Sequence, residues 1–583
     1  MKNVFFGLLC LINCETTAQD KSHSKNGVTF YKELPNPVLA IPEEWEKVES
    51  GVIVSFASSN IRYPKEKVPF AKIKKVWNAT AWKGEKINTQ VLLWAKRNIS
   101  SLTIQVNDLV NEQGNVLLKK YIKSAFVRYT MSDEFEGGCA HDKGKYDSSL
   151  VEDPIDIIDK IPVMANTVQP IWLSVEVPTA LPAGKYSGTI SMSAIKKYDL
   201  KITVNVLNHI LPPASKWKYD LDLWQYPAPI AKMHNVPLWS NAHFDLMKPY
   251  YKTLAKAGQK AITANIIEQP WGDGHVYFKD PTLIKWIKKK DSTWFYDFSL
   301  FDKYISFVMS CGINQRINCY SMITWDLSFI YFDEATGKNI SVKVDPVTTQ
   351  YSNFWAPMLQ QFTKHLKQKG WFNITAIAMD ERPIESMNAV IALLKNIDAN
   401  WKVSLATDNF HPEIQKDIFD LSIASYLKID DSVLTERKAV NKPTTFYTAC
   451  KENHPGPYTF SPPAENTWLA WHAAFKGYTG YLFWAYNTWP PNPLQDARYS
   501  HYPSGTFFEF YPGPRSSIRF EKLIEGIQDF EKIRLLKDEF IKEGKLDNLN
   551  ELNKILSGFE IRALDSISAG SLVEKGKEFL NKF

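Results

Sequence analysis

The chain has 583 residues, too many for one hydrophobic core, and its length predicts two to four domains. Its formal net charge of +6 is spread along the chain without Lys/Arg tracts, which argues against a dedicated nucleic-acid surface. Aromatic residues make up 13%, a high value. Flat rings stack on sugars and bases, but they also fill hydrophobic cores. The high aromatic content therefore favours a carbohydrate-binding or nucleic-acid-binding protein only weakly.

Residues 1–18 have the pattern of an export signal. Lys2 gives a positive start, residues 4–12 form a short apolar core, and residues 16–18 resemble a small-residue cleavage site. The core is too short to span a bilayer, and no other stretch is long and apolar enough to do so. We expect a periplasmic or secreted protein. The alternative is a lipobox over residues 11–14, with a lipid anchor on Cys14, but Asn13 before that cysteine is unusual.

The cysteines indicate no metal site and no redox motif. Two fall in the export segment, and the remaining four, Cys139, Cys311, Cys319 and Cys450, show no CxxC spacing. Cys311 and Cys319 could form a disulfide, but their apolar surroundings favour two buried free thiols. We expect no metal and no cofactor.

Residues 25–212 are predicted to form an antiparallel β-sandwich. Strand-length segments, several alternating apolar and polar side chains, are separated by turn residues such as those at 182–184. These segments are 91–94, 102–106, 171–177, 186–193 and 200–207. Pro212 and Pro213 end the region as a stiff connector.

Residues 213–540 alternate strands with helices, which predicts a parallel sheet. Eight such units predict closure into a (β/α)8 TIM-like barrel, followed by a C-terminal helical tail over 541–583 that packs on the barrel. The predicted strands are 218–223, 261–267, 315–321, 374–379, 402–406, 421–426, 444–448 and 481–484. Two insertions, 268–296 and 325–350, follow strands two and three and should lie on one rim.

The fourth predicted strand ends in two adjacent carboxylates, Asp380 and Glu381. Arg382 and Pro383 come next, and because proline cannot continue a strand ladder, the strand should stop near the acid pair. Catalytic groups of barrel enzymes lie at this end of the strands. One acid can remain protonated while the other remains charged. The alternative is a pair of solvated loop acids, one of them paired with Arg382.

Polar and aromatic residues at other strand ends are candidates for binding a ring-shaped ligand. Asp222 and Asp408 also follow strands, whereas Trp325 and Asp326 lie in the loop after strand three. The candidate binding residues are Trp224, Asn318, Tyr320, Trp325, Asp326, Tyr426, Tyr447, Trp484 and Asn487. The alternative is that each is a core residue at the barrel mouth. HExxH, GxSxG, P-loop and GxGxxG motifs are absent from the sequence, which gives other chemistries little support.

The acid pair and three C-terminal motifs resemble glycoside hydrolase family 123 over about residues 25–540. The motifs are Trp484-Ala485-Tyr486-Asn487, Tyr511-Pro512-Gly513 and the run 519–531, RFEKLIEGIQDFE. The resemblance implies an exo-acting β-N-acetylgalactosaminidase of a glycan-harvesting bacterium, with a glycan that ends in β-linked N-acetylgalactosamine (GalNAc) as its partner. The family's catalytic Asp and Glu map onto Asp380 and Glu381. Its sugar-contacting residues are not matched individually, so the other candidates rest on position.

Adjacent acids favour substrate-assisted catalysis. A retaining enzyme with its own nucleophile holds two carboxyl groups about 5 Å apart on opposite sides of the scissile bond, which suits consecutive residues poorly. In substrate assistance, the sugar's 2-acetamido group attacks C1 and forms an oxazolinium ion. Asp380 would orient that group, and Glu381 would protonate the leaving oxygen and then activate water. Burial and charged Asp380 should raise the pKa of Glu381.

Two other functions remain open from the sequence. One is a β-N-acetylglucosaminidase or another barrel glycosidase. GalNAc and N-acetylglucosamine differ in the orientation of one hydroxyl group, and no residue of the sequence can be assigned to recognise that group. The other is a non-catalytic glycan-binding surface protein with an eroded barrel. An intact acid pair at a strand end argues against erosion.

Overall fold

The computed structural model describes residues 31–49, 51–69, 72–133, 147–272 and 277–583. The predicted export signal and the alternative lipobox lie outside these residues. Within the described ranges, no helix has both the length and the apolar character needed to span a bilayer.

The N-terminal region is a sandwich of two sheets, as predicted. Its strands are β1 (Val52–Ala57), β2 (Val76–Lys83), β3 (Lys86–Ala95), β4 (Ile99–Val106), β5 (Leu109–Val110), β6 (Val116–Leu117), β7 (Ile122–Asp133), β8 (Ser148–Ile155), β9 (Lys160–Val163), β10 (Thr167–Glu176), β11 (Gly184–Ser193) and β12 (Lys197–Ile210). One sheet has the order β1-β3-β10-β7-β8 and the other β2-β12-β11-β4-β9, to which β5 and β6 are attached. Neighbours are antiparallel except β2 and β12, which are parallel.

Alternating side chains explain why the two sheets pack together. In a strand, every second side chain faces the same side, so alternate apolar residues form one continuous buried face. The buried residues between the sheets include Val91, Leu93, Ile171, Leu173, Ile190, Ile202 and Val204.

The second region contains the eight predicted parallel strands in a barrel-like sheet. They are β13 (Asp220–Leu223), β14 (Ala261–Asn265), β17 (Arg316–Tyr320), β20 (Thr375–Asp380), β21 (Lys402–Thr407), β22 (Ile418–Ala424), β23 (Thr444–Tyr447) and β24 (Gly480–Phe483). Their order is β13-β24-β23-β22-β21-β20-β17-β14. The first and last strands meet at a single bridge from Leu221 to Gln259, with Lys260 N–H donating to Leu221 O at 2.9 Å.

The two predicted insertions pair with each other. They contain β15 (Lys285–Lys288), β16 (Trp294–Asp297), β18 (Ser328–Asp333) and β19 (Lys338–Lys343), which form one small sheet in the order β16-β15-β18-β19. Because one insertion follows β14 and the other follows β17, this sheet ties two neighbouring loops at the carboxyl end of the barrel.

One short helix, α1 (Pro42–Glu46), packs on the sandwich. The other helices cover the outside of the barrel and continue to the C-terminus. They are α2 (Pro227–Met233), α3 (Asn241–Lys256), α4 (Ser299–Ser310), α5 (Thr349–Lys369), α6 (Ile384–Ile397), α7 (Asp431–Ala439), α8 (Ala464–Lys476), α9 (Ile518–Lys542), α10 (Leu546–Leu556) and α11 (Ala569–Leu580). Local signals fix the ends of α5: the Thr348 side chain accepts from Tyr351 N–H at its start, and left-handed Gly370 ends it.

A buried ionic cluster lies low in the barrel, near the start of the strands. Arg316 contacts Asp220 at 2.9 Å and Asp420 at 3.1 Å. The Asn318 side-chain amide donates to Asp222 at 3.1 Å and to Asp420 at 3.3 Å. Buried charges require such partners, because an unpaired charge away from water is strongly destabilising. Of the predicted site residues, Asn318 therefore belongs to this interior cluster.

Helix α9 connects the barrel with the sandwich and contains the RFEKLIEGIQDFE motif. Arg519 donates to Asp153 of β8 at 3.0 Å, and Lys532 contacts Glu85 beside β3 at 2.8 Å. A Cβ at Gly526 would lie 2.5 Å from the backbone oxygen of Thr467 in α8, so only glycine allows the two helices to approach this closely. The motif therefore encodes domain contacts, and α10 and α11 pack against α8 and α9.

Candidate active site

The acid pair lies at the carboxyl end of β20, as predicted. Residues 375–379 of the strand are buried, and α6 begins at Ile384 directly after Pro383. Consecutive side chains of an extended strand point to opposite faces. Glu381 instead has a φ of 50°, in the left-handed region, while its N–H still donates to Ala406 O at 2.8 Å. This turn allows both carboxylates to face one cavity.

A left-handed conformation at a residue other than glycine is unfavourable by about 1–2 kcal/mol. Such strain clusters at functional sites, where the surrounding structure holds it in place. At Glu381, the hydrogen bond to Ala406 and the following proline provide that support.

The cavity at the acid pair has a volume of about 180 Å³. It is lined by Trp224, Trp325, Asp380, Glu381, Ala406, Tyr447, Thr448, Ala449, Cys450, Leu482, Trp484 and Tyr502. A larger crevice of about 550 Å³ lies where the sandwich meets the barrel, around Trp172 and the linker at Pro212. The acid pair does not line that crevice, so the smaller cavity is the candidate site.

Two tryptophans hold the Asp380 carboxylate. The side chains of Trp271 and Trp325 hydrogen-bond to it, and Trp325 lies under the Arg382 guanidinium at 5.3 Å. Burial raises the pKa of Asp380 to about 7, and the neighbouring Glu381 charge adds to the rise, whereas Arg382 and the two indoles oppose it. Asp380 is therefore oriented by fixed donors and exchanges its proton near neutral pH.

Glu381 has a different set of neighbours. The Tyr447 hydroxyl donates to its Oε1 at 2.6 Å. Burial raises the pKa of Glu381, as expected, and the largest charge effect in the same direction comes from Asp408. The Tyr447 hydrogen bond and the cations of Arg382 and Lys451 lower it. The two acids thus lie side by side, and each has a raised pKa.

Aromatic rings support the cavity wall behind the tryptophans. The rings of Trp224 and Trp271 stack with centroids 5.2 Å apart, and Tyr320 packs against both at 4.7 and 5.1 Å. At the end of the neighbouring strand β24, the ring of Trp484 lies 4.5 Å from that of Phe507. Packing of this kind fixes the orientation of each ring and makes the cavity rigid.

The structure brings four of the nine predicted binding residues to the cavity: Trp224, Trp325, Tyr447 and Trp484. Tyr426 lies farther out on the rim and is 37% exposed. The others have structural contacts. Tyr320 packs behind Trp224, and the Asp326 carboxylate accepts from Ser328 N–H at 3.1 Å. Asn487 is buried and exchanges hydrogen bonds of 3.0 and 2.7 Å with the Tyr226 backbone.

Sequence reasoning missed three residues of the site. Trp271 belongs to the first insertion, where a glycine-rich turn was the only local signal. Tyr502 lies in a long segment after β24, and no periodic pattern places it at the cavity. Cys450 lines the cavity and is disulfide-bonded, whereas Cys311 and Cys319 are buried free thiols, as predicted. Among the described residues, no group of three or more His, Cys, Asp or Glu side chains could hold a metal ion.

Comparison with solved structures supports a whole-chain likeness. A family 123 glycoside hydrolase from Clostridium perfringens is 25% identical to this chain, with a TM-score of 0.82. Its structure was analysed for the details of glycolipid glycan hydrolysis. The match covers 92% of this chain and 99% of that one. An endo-β1,6-glucanase matches with a TM-score of 0.34 and 11% identity, over 55% of this chain and 78% of that one. A maltogenic α-amylase from Thermotoga neapolitana matches with a TM-score of 0.31 and 10% identity, over 55% of this chain and 77% of that one. Both are too dissimilar to support an inference.

Sequence profiles identify the same family in both regions. The glycoside hydrolase 123 catalytic domain matches residues 224–536, and the glycoside hydrolase 123 N-terminal domain matches residues 56–194. No curated protein matches the chain. The catalytic profile alone spans more than half of the sequence and contains both acids of the cavity. The chain therefore belongs to glycoside hydrolase family 123.

Proposed function

We propose that this glycoside hydrolase is an exo-acting, retaining β-N-acetylgalactosaminidase that uses the acetamido group of its own substrate as the nucleophile. The observation that carries the proposal is the position of Asp380 and Glu381: they are consecutive residues, and both line one cavity. Consecutive carboxylates are poorly placed to flank a scissile bond from opposite sides, as two-carboxylate retention requires.

In the first step, the acetamido carbonyl oxygen attacks C1 while the bond from C1 to the glycosidic oxygen breaks. The Asp380 carboxylate accepts a hydrogen bond from the acetamido N–H and stabilises the positive charge of the oxazolinium ion. The indole N–H groups of Trp271 and Trp325 hold this carboxylate in position. Such a preoriented group needs no reorganisation as the charge develops.

Glu381 donates its proton to the departing glycosidic oxygen in the same step. In the second step, the Glu381 carboxylate removes a proton from water, which attacks C1 and opens the oxazolinium ring. The acetamido group is restored, and two inversions at C1 give net retention. A pKa raised by burial supports both roles, because it favours the protonated form that the first step needs and makes the resulting carboxylate a stronger base for the second.

The shape of the cavity supports release of a terminal sugar. Its volume of about 180 Å³ is small, and packed aromatic residues such as Trp224 form its wall. Large flat rings stack on the apolar face of a pyranose. A pocket that holds one ring favours cleavage at a chain end over cleavage within a chain.

The substrate we propose is a glycan that ends in β-linked GalNAc, including the glycan of a glycolipid. The C. perfringens relative, a family 123 enzyme studied for glycolipid glycan hydrolysis, supports this class. We also propose that the protein is exported. The pattern of residues 1–18 and the disulfide at Cys450 support that location, because disulfides persist mainly in oxidising compartments.

Hydrolysis of paired aryl glycosides tests the proposal. The aryl β-GalNAc glycoside should be cleaved faster than its N-acetylglucosamine epimer, and NMR should detect the β-anomer as the first product. A thiazoline analogue of the oxazoline should inhibit competitively. Glu385→Gln, which changes an exposed acid in the first turn of α6, serves as the matched control and should retain activity.

Three outcomes would contradict the proposal: an α-anomer as the first product, labelling of a carboxylate by a mechanism-based glycosyl fluoride, or glycan binding without turnover. The first two would exclude substrate assistance. The third would support a non-catalytic glycan-binding protein.

A further inference from the structure

The strand order divides the rim of the barrel into two sides around the acid pair. β20 lies between β17 and β21 in the sheet. Trp271 and Trp325 follow β14 and β17, so they lie on one side of β20. Asp408, Tyr426 and Lys451 follow β21, β22 and β23, so they lie on the other side.

The electrostatic neighbours of the two acids agree with this division. Asp380 is held by the two tryptophans. Glu381 lies within electrostatic reach of both Asp408 and Lys451. One acid therefore faces the tryptophan side of the rim, and its neighbour faces the opposite side.

Tyr426 and Lys451 form a contact next to Glu381. The Lys451 ammonium lies 4.5 Å from the centre of the Tyr426 ring and donates to the tyrosine hydroxyl at 3.1 Å. Ser425 N–H donates to Tyr447 O at 2.8 Å, and the Tyr447 hydroxyl binds Glu381. This chain of contacts places Tyr426 beside the proton donor, while 37% of the tyrosine remains exposed.

The proposed reaction determines what must lie there. Glu381 protonates the glycosidic oxygen, so the leaving group has to lie on the side of the cavity that Glu381 faces. We propose that Tyr426, Lys451 and Asp408 form the subsite that binds the leaving sugar, and that this sugar is a neutral pyranose. The inference rests on the proposed function and adds the residues that select the leaving sugar, to which the GalNAc is attached.

The chemistry of the three side chains fits a neutral sugar. A partly exposed aromatic ring offers a surface for the C–H face of a pyranose. The ammonium of Lys451 donates hydrogen bonds, and the carboxylate of Asp408 accepts them, so sugar hydroxyls can satisfy both. An acidic sugar would bring a second negative charge next to Asp408, which is unfavourable.

Two kinds of substrate separate leaving-sugar binding from chemistry. One is a set of disaccharides in which β-GalNAc is attached to different hydroxyls of a neutral hexose. The other is the β-azide of GalNAc, whose leaving group contains no ring. The variants are Tyr426→Ala and Lys451→Met. Lys196→Met is the control, because Lys196 lies 5.5 Å from the ring of Tyr198 in the distant sandwich and forms a similar pair.

For Tyr426→Ala and Lys451→Met, kcat/KM for the best disaccharide should fall about tenfold more than kcat/KM for the azide, a ratio equivalent to about 1.4 kcal/mol. Tyr426→Phe should lose less than Tyr426→Ala, because it keeps the ring. Lys196→Met should change neither substrate. Wild-type enzyme should cleave a disaccharide with a hexuronic acid leaving group more slowly than one with the hexose.

Equal losses on the disaccharide and the azide would overturn the subsite, as would variants that match the wild type on both. Faster cleavage of the hexuronic acid disaccharide would overturn its preference for a neutral sugar. If the wild-type enzyme cleaves neither the disaccharides nor the azide, the proposed function itself is wrong, and the subsite is rejected with it.

Discussion

The Tyr447 hydroxyl donates a 2.6 Å hydrogen bond to Oε1 of Glu381 and joins the end of β23 to the end of β20. This hydrogen bond is one of several effects on the pKa of the carboxyl group. Burial and the charge of Asp408 raise its pKa, and the hydrogen bond from Tyr447 lowers it by favouring the charged form. Tyr447 thus tunes the group that we propose as general acid and base.

Tyr447→Phe should move the alkaline limb of the kcat/KM profile to higher pH. Removal of the donor destabilises the Glu381 carboxylate, so its pKa rises and the acid form persists to higher pH, by about 0.5–1 unit. A pH–rate profile measures the shift. Tyr186→Phe, which loses a hydroxyl contact to Pro182 O in the sandwich, is the control. An alkaline limb that stays in place or moves down would contradict this role of Tyr447.

Glu381→Gln should depend on the leaving group. Glutamine cannot donate the required proton, so we expect a loss of about 10²–10⁴-fold on disaccharides. An aryl glycoside with an acidic phenol needs little protonation, and its oxazoline-forming step should lose much less. A Brønsted plot of kcat against leaving-group pKa should become steeper in the variant. The same slope in variant and wild type would exclude Glu381 as the general acid.

Much of the fold followed from local patterns. The alternation of strand and helix located each barrel strand, and the β20 segment could be recognised because its apolar run stops at Asp380. Strand ends were harder to locate. β22 covers Ile418–Ala424, earlier than the predicted 421–426, so Tyr426 lies in the following turn and on the rim. Buried strands of a parallel sheet lack a period that fixes their ends.

The residues around the acids depended on tertiary structure, which local patterns do not contain. Asn318 and Trp224 both belong to predicted strand ends, yet one joins the interior cluster with Arg316 and the other lines the cavity. A shift of one or two residues along a strand decides between these positions. Trp271 reaches Asp380 from a loop that is tied to the next one, since Trp325 N–H donates to Pro270 O at 3.0 Å.

Trp325→Phe should move the acid limb of the pH–rate profile upward. The variant keeps a ring next to Arg382 but loses a donor that lowers the pKa of Asp380, so that pKa should rise above about 7. The proposed reaction needs Asp380 ionised, and activity should therefore disappear at a higher pH as the solution is acidified. Trp294→Phe, in the small sheet, is the control. An acid limb that does not move would show that Trp325 leaves the ionisation of Asp380 unaffected.

Asp380→Asn should separate stability from activity. Because folding raises the pKa of Asp380 from about 4 to about 7, the wild-type carboxyl stabilises the fold while protonated, and this contribution is lost as pH rises from 4 to 7. Asparagine stays neutral, so the variant should gain stability relative to the wild type over that range, up to about 4 kcal/mol by pH 8. Its kcat should fall at every pH.

Thermal unfolding at pH 5 and pH 8 tests the effect of Asp380→Asn on stability. The melting temperature of the variant minus that of the wild type should be larger at pH 8. Glu385→Gln again provides an exposed control on the same chain segment. A wild type that is more stable than Asp380→Asn at pH 8 would contradict the pKa shift.

The pair of Lys532 and Glu85 should act as a unit that joins the two domains. Both side chains are buried, 2.8 Å apart, and Glu85 also accepts from Trp82 N–H at 2.7 Å. Lys532→Met leaves the Glu85 charge without its ammonium partner, which should destabilise the protein by about 3–5 kcal/mol. Glu85→Gln should destabilise it similarly. The double variant leaves no charge at the pair and places the Met side chain near the Trp82 ring, which Lys532 contacts at 5.3 Å.

Melting temperatures of the four proteins form a double-mutant cycle. We expect the double variant to be less destabilised than the sum of the single variants, with a coupling energy above about 1 kcal/mol, because removing both partners avoids an uncompensated charge. The pair of Lys123 and Glu176 is the control: it is an ion pair with exposed side chains in the sandwich, where coupling should be below about 1 kcal/mol. Additive effects at Lys532 and Glu85 would mean that other contacts of α9, such as that between Arg519 and Asp153, hold the sandwich against the barrel.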